Sequence, residues 1–284
     1  MQGVAIALAC CAEAVQGASL LSMTDHRLTA AILQRIETAR QPGLLVVGIC
    51  GAQGCGKTTL VAHLSAQLER SGVRTAALSL DDLYKTRAER QRLAAEVHPL
   101  FSTRGVPGTH DVALGLETIS ALERGEAAPL PRFDKAADDR MPRSEWPVAP
   151  ANTQVLLLEG WCLGARPQND VAVPVNALEA SEDSQALWRG HANAALGDEY
   201  QRLFARIDLL ILLAAPGWEV VAEWREQQEA ELRLKGGTAV MSPAELTRFI
   251  QHYERLTRWI LAEMPGRADL TVRLDSNRGV VSIS

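Results

Sequence analysis

The sequence predicts an α/β fold of three layers, a parallel sheet covered by helices on both faces. Three observations carry that prediction. Apolar runs of strand length lack polar alternation, helical patterns lie between them, and a glycine-rich turn joins the first run to its helix. Strands without alternation are buried on both sides, which a helical layer above and below the sheet provides.

The elements follow in order. Thr24 to Ala39 repeats apolar residues at Leu28, Ile32 and Ile36 and stops at Gln41-Pro42-Gly43, a turn signal. Leu44 to Ile49 reads as the first buried strand. Thr58 to Arg70 reads as a helix closed by Ser71-Gly72, and Arg74 to Leu80 as the second strand, ending at Asp81 and Asp82. Val155 to Leu158 is the third strand and Ile207 to Leu213 the fourth, followed by a charged helix from Trp218 to Lys235. Ser242, with Pro243 at the first helical position, opens a helix that runs to Met264, and Leu270 to Leu274 reads as a fifth strand. Residues 1–40 are expected to form an N-terminal arm and helix, and residues 41–284 a single domain. The irregular passages at about 82–150 and 161–200 follow strands. They are expected at the sheet edge where ligands bind, as substrate-covering insertions.

Composition narrows the function. The net charge of −5 gives no general attraction to nucleic acid or anionic membrane, so neither is an expected partner. The five cysteines, at 10, 11, 50, 55 and 162, match neither a disulfide framework nor a zinc site, which suggests a reducing compartment. The apolar stretch from Met1 to Met23 lacks a basic start and contains Glu13, unlike a signal peptide, and no membrane span follows. A cytoplasmic protein is the expectation, and a homodimer is left open.

Gly51-Ala52-Gln53-Gly54-Cys55-Gly56-Lys57-Thr58 fits the pattern G-x-x-x-x-G-K-[ST] between a strand and a helix, the context that a phosphate-cradling loop requires. Glycines let the backbone curl its N–H groups inward, and the helix N-terminus adds positive potential. Lys57 is expected to reach the β and γ phosphates of ATP, and Thr58 to offer its hydroxyl to Mg²⁺. Cys55 sits where a helix N-terminus could lower its pKa, although a small residue filling a tight turn accounts for it equally simply.

Two strand ends supply carboxylates. Asp81 is placed to accept a proton from an attacking hydroxyl. Asp82 reads either as a turn cap or as a contact to metal-bound water. Glu159, after four apolar residues, stands where Mg²⁺ and its waters are ordered. No guanine-reading Asn-Lys-x-Asp follows a late strand, and the third strand ends Glu-Gly rather than Asp-Glu. GTPases and remodelling motors are thereby disfavoured. Arg104, His110, Arg132 and Lys135 are scattered through the first insertion, where converging cations would suit an anionic acceptor. Arg225, on the helix after strand four, reads either as an exposed i,i+4 partner of Glu229 and Arg233 or as the arginine of a closing lid.

Taken together these pieces resemble plant-type D-glycerate 3-kinases and their bacterial and fungal relatives, within the wider group of phosphoribulokinase, uridine kinase and bacterial pantothenate kinase. The segments that carry the resemblance are Gly51 to Thr59, Leu78 to Tyr84, Arg104-Gly-x-x-Gly-x-His110-Asp111, Pro131-Arg-Phe-Asp-Lys135, Glu159-Gly-Trp-x-x-Gly164, Trp224-Arg225-x-x-Gln-Glu229 and the helix around Tyr253. The resemblance implies a five-stranded parallel sheet of order 2-3-1-4-5 with a helical lid, Asp81 as the base and Arg225 on the lid. It implies that Asp275 to Arg278 lies near the adenine. It adds Thr59 and Arg278 to the nucleotide contacts, and Asp82, Tyr84 and Asp111 to the acceptor contacts. Two passages depart from the family pattern: Ala136 to Arg140 is shortened, and residues 165–195 follow none. The expected activity is transfer of the ATP γ-phosphoryl group to a hydroxyl, with D-glycerate the first acceptor to consider. A nucleoside, pantothenate or a sugar phosphate are the alternatives, as is an NTPase acting through a protein partner.

Overall fold

The computed structural model describes residues 25–234 and 241–284, without the side chains of 231–234. The expectations for residues 1–24, Arg233 and Lys235 fall outside this. The strands are β1 (Leu45–Gly51), β2 (Thr75–Ser79), β3 (Val155–Gly160), β4 (Leu209–Ala214), β5 (Leu270–Leu274) and β6 (Val280–Ile283). Every residue of β1, β3 and β4 is buried, which is possible only with cover on both faces.

The sheet runs β6-β5-β4-β1-β3-β2, with parallel pairing from β2 to β5. The expected order 2-3-1-4-5 is present within it. The strand count is corrected from five to six: β6 returns antiparallel to β5 after a turn at Asp275 to Gly279. A second correction concerns Asp81 and Asp82. They do not end β2 but sit in a single 3₁₀ turn, Leu80–Leu83, in which the Asp81 N–H donates to the Ser79 hydroxyl. That turn rotates the two carboxylates to different sides, which a continuing strand would also do but over a longer reach.

The helices are α1 (His26–Ala39), α2 (Lys57–Arg70), α3 (Arg87–Glu96), α4 (Val112–Glu123), α5 (Ala177–Glu182), α6 (Leu187–Gly197), α7 (Glu199–Phe204), α8 (Trp218–Leu234) and α9 (Pro243–Glu263). Ser242 and Glu245 form a capping box at the start of α9, satisfying N–H groups that have no partner within the helix. The insertions do not hang free. Leu100, Phe101 and Val106 of the first pack with Leu178 and Trp188 of the second in a small apolar cluster. Among the described residues, no helix is long and apolar enough to cross a membrane.

Candidate active site

Register places the site. Ile49 of β1 and Ser79 of β2 both pair with Glu159 of β3, so three strands finish at one edge. The loop from Gly51 to Gly56 leaves β1 there and enters α2. Gly56, the residue before α2, has φ 93° and provides no side-chain cap. The helix's first N–H groups are therefore left for an anion, as in phosphate-binding loops. Gly54 has φ 78°, and a β-carbon there would lie 2.9 Å from Trp224 Cβ on α8. The loop and α8 touch at the residue that has no side chain.

Lys57 Nζ donates to the Ala52 carbonyl at 3.2 Å, folded back over the loop. Burial disfavours its ammonium, but Cys55, Glu159 and Asp81 outweigh that and hold its pKa above the ordinary lysine value. Thr58 Oγ1 donates to Glu159 Oε1 at 3.1 Å, joining the loop to the end of β3. Among the described residues no group of three or more His, Cys, Asp or Glu side chains could hold a metal. Magnesium needs no such group, because it takes one or two carboxylates and completes its shell with phosphate oxygens and water. Thr58 and Glu159 fit that requirement.

Asp81 lies beside this pair. Its Oδ2 accepts from Lys135 Nζ at 2.7 Å and its Oδ1 from the Tyr84 hydroxyl at 2.8 Å. Burial alone would raise its pKa; the Lys135 ammonium and the Tyr84 hydroxyl overcome it and hold the carboxyl well below the usual range. Asp82 points elsewhere. It accepts from the Phe133 N–H and from Arg132 Nη1, each at 3.2 Å, and so ties down the Pro131 to Lys135 segment. Burial, only partly offset by Arg132, raises the Asp82 carboxyl to about 6.

The remaining basic groups are paired. Arg104 bonds Asp138 and lies over the Phe133 ring, 5.5 Å from its centroid. Asp111 caps α4 and accepts from Arg140 Nη2 at 3.0 Å. His110 is fully buried, stacks on Tyr84 with centroids 4.6 Å apart, and its Nδ1 lies 2.5 Å from the Tyr200 hydroxyl. Burial pushes its pKa down to about 3 despite the nearby Asp81. The structure thus gathers Lys57, Thr58, Asp81, Glu159, Tyr84, His110 and Lys135 at one edge. Arg132 stands one step back, on Asp82.

Arg225 lies on α8 among its own helix and α9. It pairs with Glu229 at 3.0 Å and lies over the Phe249 ring, 5.7 Å from its centroid. Arg278 braces the loop: its Nε donates to the Gly54 carbonyl at 2.6 Å and its guanidinium lies 5.0 Å from the centroid of Trp224. Cys55 is buried and its thiol pKa is raised, chiefly by that burial. This agrees with a small residue filling a tight turn, and not with the alternative of a thiol lowered at a helix N-terminus. Thr59 is half-buried on α2, and Gln53 half-buried in the loop.

Sequence reasoning missed the residues that hold the first insertion in place. The Tyr253 hydroxyl donates to the Arg104 carbonyl at 3.0 Å, and Trp161 Nε1 to the Gly105 carbonyl at 2.9 Å. Buried Arg90 donates to the carbonyls of Ser102 and Asp138. Trp161 and Tyr253 stood within quoted motifs, but nothing in their spacing showed that they meet this loop. Arg90 and Tyr200 carried no signal, being isolated residues in passages that read as irregular.

Comparison with known proteins agrees with this geometry. Residues 46–172 match the Phosphoribulokinase / Uridine kinase family. Over 250 residues, 82% of the chain, it is 33% identical to an uncharacterized kinase, mug58, of Schizosaccharomyces pombe, spanning 88% of that protein. It is 31% identical to the chloroplastic D-glycerate 3-kinase of Arabidopsis thaliana over 84% of the chain, which spans 54% of the plant protein. A D-glycerate 3-kinase structure from Cryptococcus neoformans var. grubii shares the fold with a TM-score of 0.76 at 24% identity, covering 95% of this chain and 99% of that one. On the family match and a relative 33% identical over 82% of the chain, the chain belongs to the phosphoribulokinase/uridine kinase family.

Proposed function

We propose that the chain transfers the γ-phosphoryl group of ATP, with Mg²⁺, to a hydroxyl of a small anionic metabolite, and that D-glycerate, converted to 3-phosphoglycerate, is that acceptor. The observation that carries this reading is the setting of Asp81, held between Lys135 and Tyr84 at the strand edge that also bears Lys57. A carboxylate beside a solvent-exposed cation suits an acceptor with both a hydroxyl and a negative charge. The hydroxyl meets Asp81 and the charge draws Lys135 away. The 31% identical plant relative is a D-glycerate 3-kinase, which supports the choice of acceptor.

Magnesium-bound ATP supplies the phosphoryl group and neutralises charge on its oxygens. The chain's own residues do the rest. The loop N–H groups of residues 51–56 and Lys57 hold the phosphates, and Thr58 and Glu159 hold the metal. Asp81 takes the hydroxyl proton once Lys135 has turned to the acceptor. Arg225 leaves Glu229 to cover the transferring group, and Arg104, His110, Arg132 and Asp111 shape the acceptor pocket. Residues 41–284 act as one kinase domain in the cytoplasm, without nucleic acid or membrane.

A screen with labelled ATP against D-glycerate, nucleosides, pantothenate and sugar phosphates tests the reading. Rapid labelling of D-glycerate is expected. Turnover confined to a nucleoside would replace the acceptor, and a protein without affinity for magnesium-bound ATP would end the proposal altogether.

A further inference from the structure

The Tyr200 hydroxyl on α7 sits at a crossing of three polar groups. It lies 3.0 Å from the Gly108 N–H, 3.3 Å from the His110 N–H and 2.5 Å from His110 Nδ1. A phenol has one proton to give and accepts with its oxygen lone pairs. Both backbone groups are donors and nothing else, so they occupy the acceptor side of the oxygen. The phenol proton is left with a single destination, His110 Nδ1. If Nδ1 carried a proton instead, three donors would converge on one oxygen and the buried phenol proton would have no partner, an arrangement that costs the desolvation of that group.

The consequence reaches His110. A ring nitrogen that accepts is unprotonated, so in the neutral imidazole the proton stands on Nε2. His110 Nε2 is buried and has no hydrogen-bond partner. The ring carrying it stacks on Tyr84, the residue whose hydroxyl holds Asp81. Lys85 and Asp81 are the charged neighbours that act on the ring, and they oppose one another.

We infer that Tyr200 is a positioning residue: it locks His110 as a neutral imidazole with the proton on Nε2, so that the ring stacked on Tyr84 carries a fixed neutral donor rather than an imidazolium. Tyr200 also pins the turn from Gly108 to His110 through two backbone N–H groups, so ring and loop are set by one oxygen. The use of this donor by the acceptor rests on the phosphotransfer reading. The tautomer does not, and can be read without any acceptor.

Two measurements test this. In ¹⁵N-labelled protein at neutral pH, two-bond nitrogen–proton couplings report which ring nitrogen is protonated, with His110 assigned through His110→Gln. The proton is expected on Nε2. A proton on Nδ1, or on both nitrogens, overturns the inference whatever the acceptor proves to be. In Tyr200→Phe the lock is removed and the two N–H groups are orphaned. The KM of the acceptor should rise about tenfold, the loss of one well-made hydrogen bond, with the KM of ATP unchanged. Equal changes in both constants, or none, would overturn the positioning role. If Tyr200→Phe does not fold, the couplings of the unaltered protein decide.

Discussion

Lys135 and Asp81, 54 positions apart in the chain, meet at 2.7 Å. The contact ties the Pro131 to Lys135 segment to the turn after β2 and keeps Asp81 charged while no acceptor is present. A carboxylate bound to an ammonium is a weak base, so the same contact restrains it from activating water. Asp81→Asn should lower kcat by about 10²- to 10⁴-fold, the usual yield of a positioned base, without loss of ATP affinity. Single-turnover transfer measures the first and calorimetry the second; transfer near the unaltered rate would remove Asp81 from the base role.

Lys135→Ala separates restraint from recognition. The Lys135 side chain is 63% exposed, so its pairing adds little stability, and thermal unfolding should barely move. The KM for an anionic acceptor should rise about tenfold, the low end for a charged hydrogen bond. Hydrolysis of ATP without acceptor should increase, because Asp81 then lacks its cation. A decrease in that background would argue against restraint.

Asp82 gives a pH signature. Its carboxyl is raised from 3.8 to about 6, so the folded chain holds this proton more tightly than the unfolded one. The resulting stability is fully present below the unfolded pKa and is lost as pH rises through about 6. Relative to Asp82→Asn, the unaltered protein should lose at most about 3 kcal/mol between pH 4 and 7, less with partial solvent exposure. Urea unfolding of both proteins at the two pH values measures the difference, and parallel curves would show that the raised pKa is absent.

Much of this site could be read from the chain because its determinants are local. The apolar run before Gly51 and the run before Glu159 each place one chemical group at a strand end, the run before Asp81 places one in the turn just beyond β2, and parallel pairing then brings these ends together. The sixth strand escaped because Val280 to Ile283 is only four residues long and only partly buried, too short to show a pattern, although Asp275, Asn277 and Gly279 before it are turn residues. The pairings Asp82–Arg132 and Arg104–Asp138 join segments tens of residues apart. Only the folded insertion, packed through Phe133, reveals them. The sequence showed which cations lie near the site but not which carboxylates hold them.

Thr58 and Glu159 predict a magnesium effect that can be seen without turnover. Thr58→Val removes the hydroxyl while keeping the side chain's shape, and Thr58→Ser keeps the hydroxyl. With magnesium, ATP affinity should fall about tenfold or more in Thr58→Val and stay near normal in Thr58→Ser. Without magnesium the three proteins should bind alike. Calorimetric titration with and without the metal checks this, and an equal loss in both conditions would assign Thr58 to the phosphates rather than to the metal.

Gly105 sets how closely the loop from Arg104 to His110 approaches α9. It has φ 138°, and a β-carbon built there would lie 2.1 Å from the Tyr253 hydroxyl oxygen and 2.6 Å from its ring. Gly105→Ala therefore combines a strained backbone with overlap against a side chain that is itself bonded to the Arg104 carbonyl. A loss of about 2–4 kcal/mol is expected from strain and overpacking together. The acceptor KM should rise with it, because displacement of the loop carries Arg104 along. Tyr253→Ala removes the obstructing ring but leaves a cavity, and should destabilise on its own by about 3 kcal/mol or more. In the double variant the added methyl enters space the ring has vacated, so its loss should be smaller than the sum of the two single losses, with a coupling of about 1 kcal/mol or more. Denaturant unfolding of the four proteins gives that coupling. Strict additivity would mean that the backbone angle, not the tyrosine, is what requires glycine at this position.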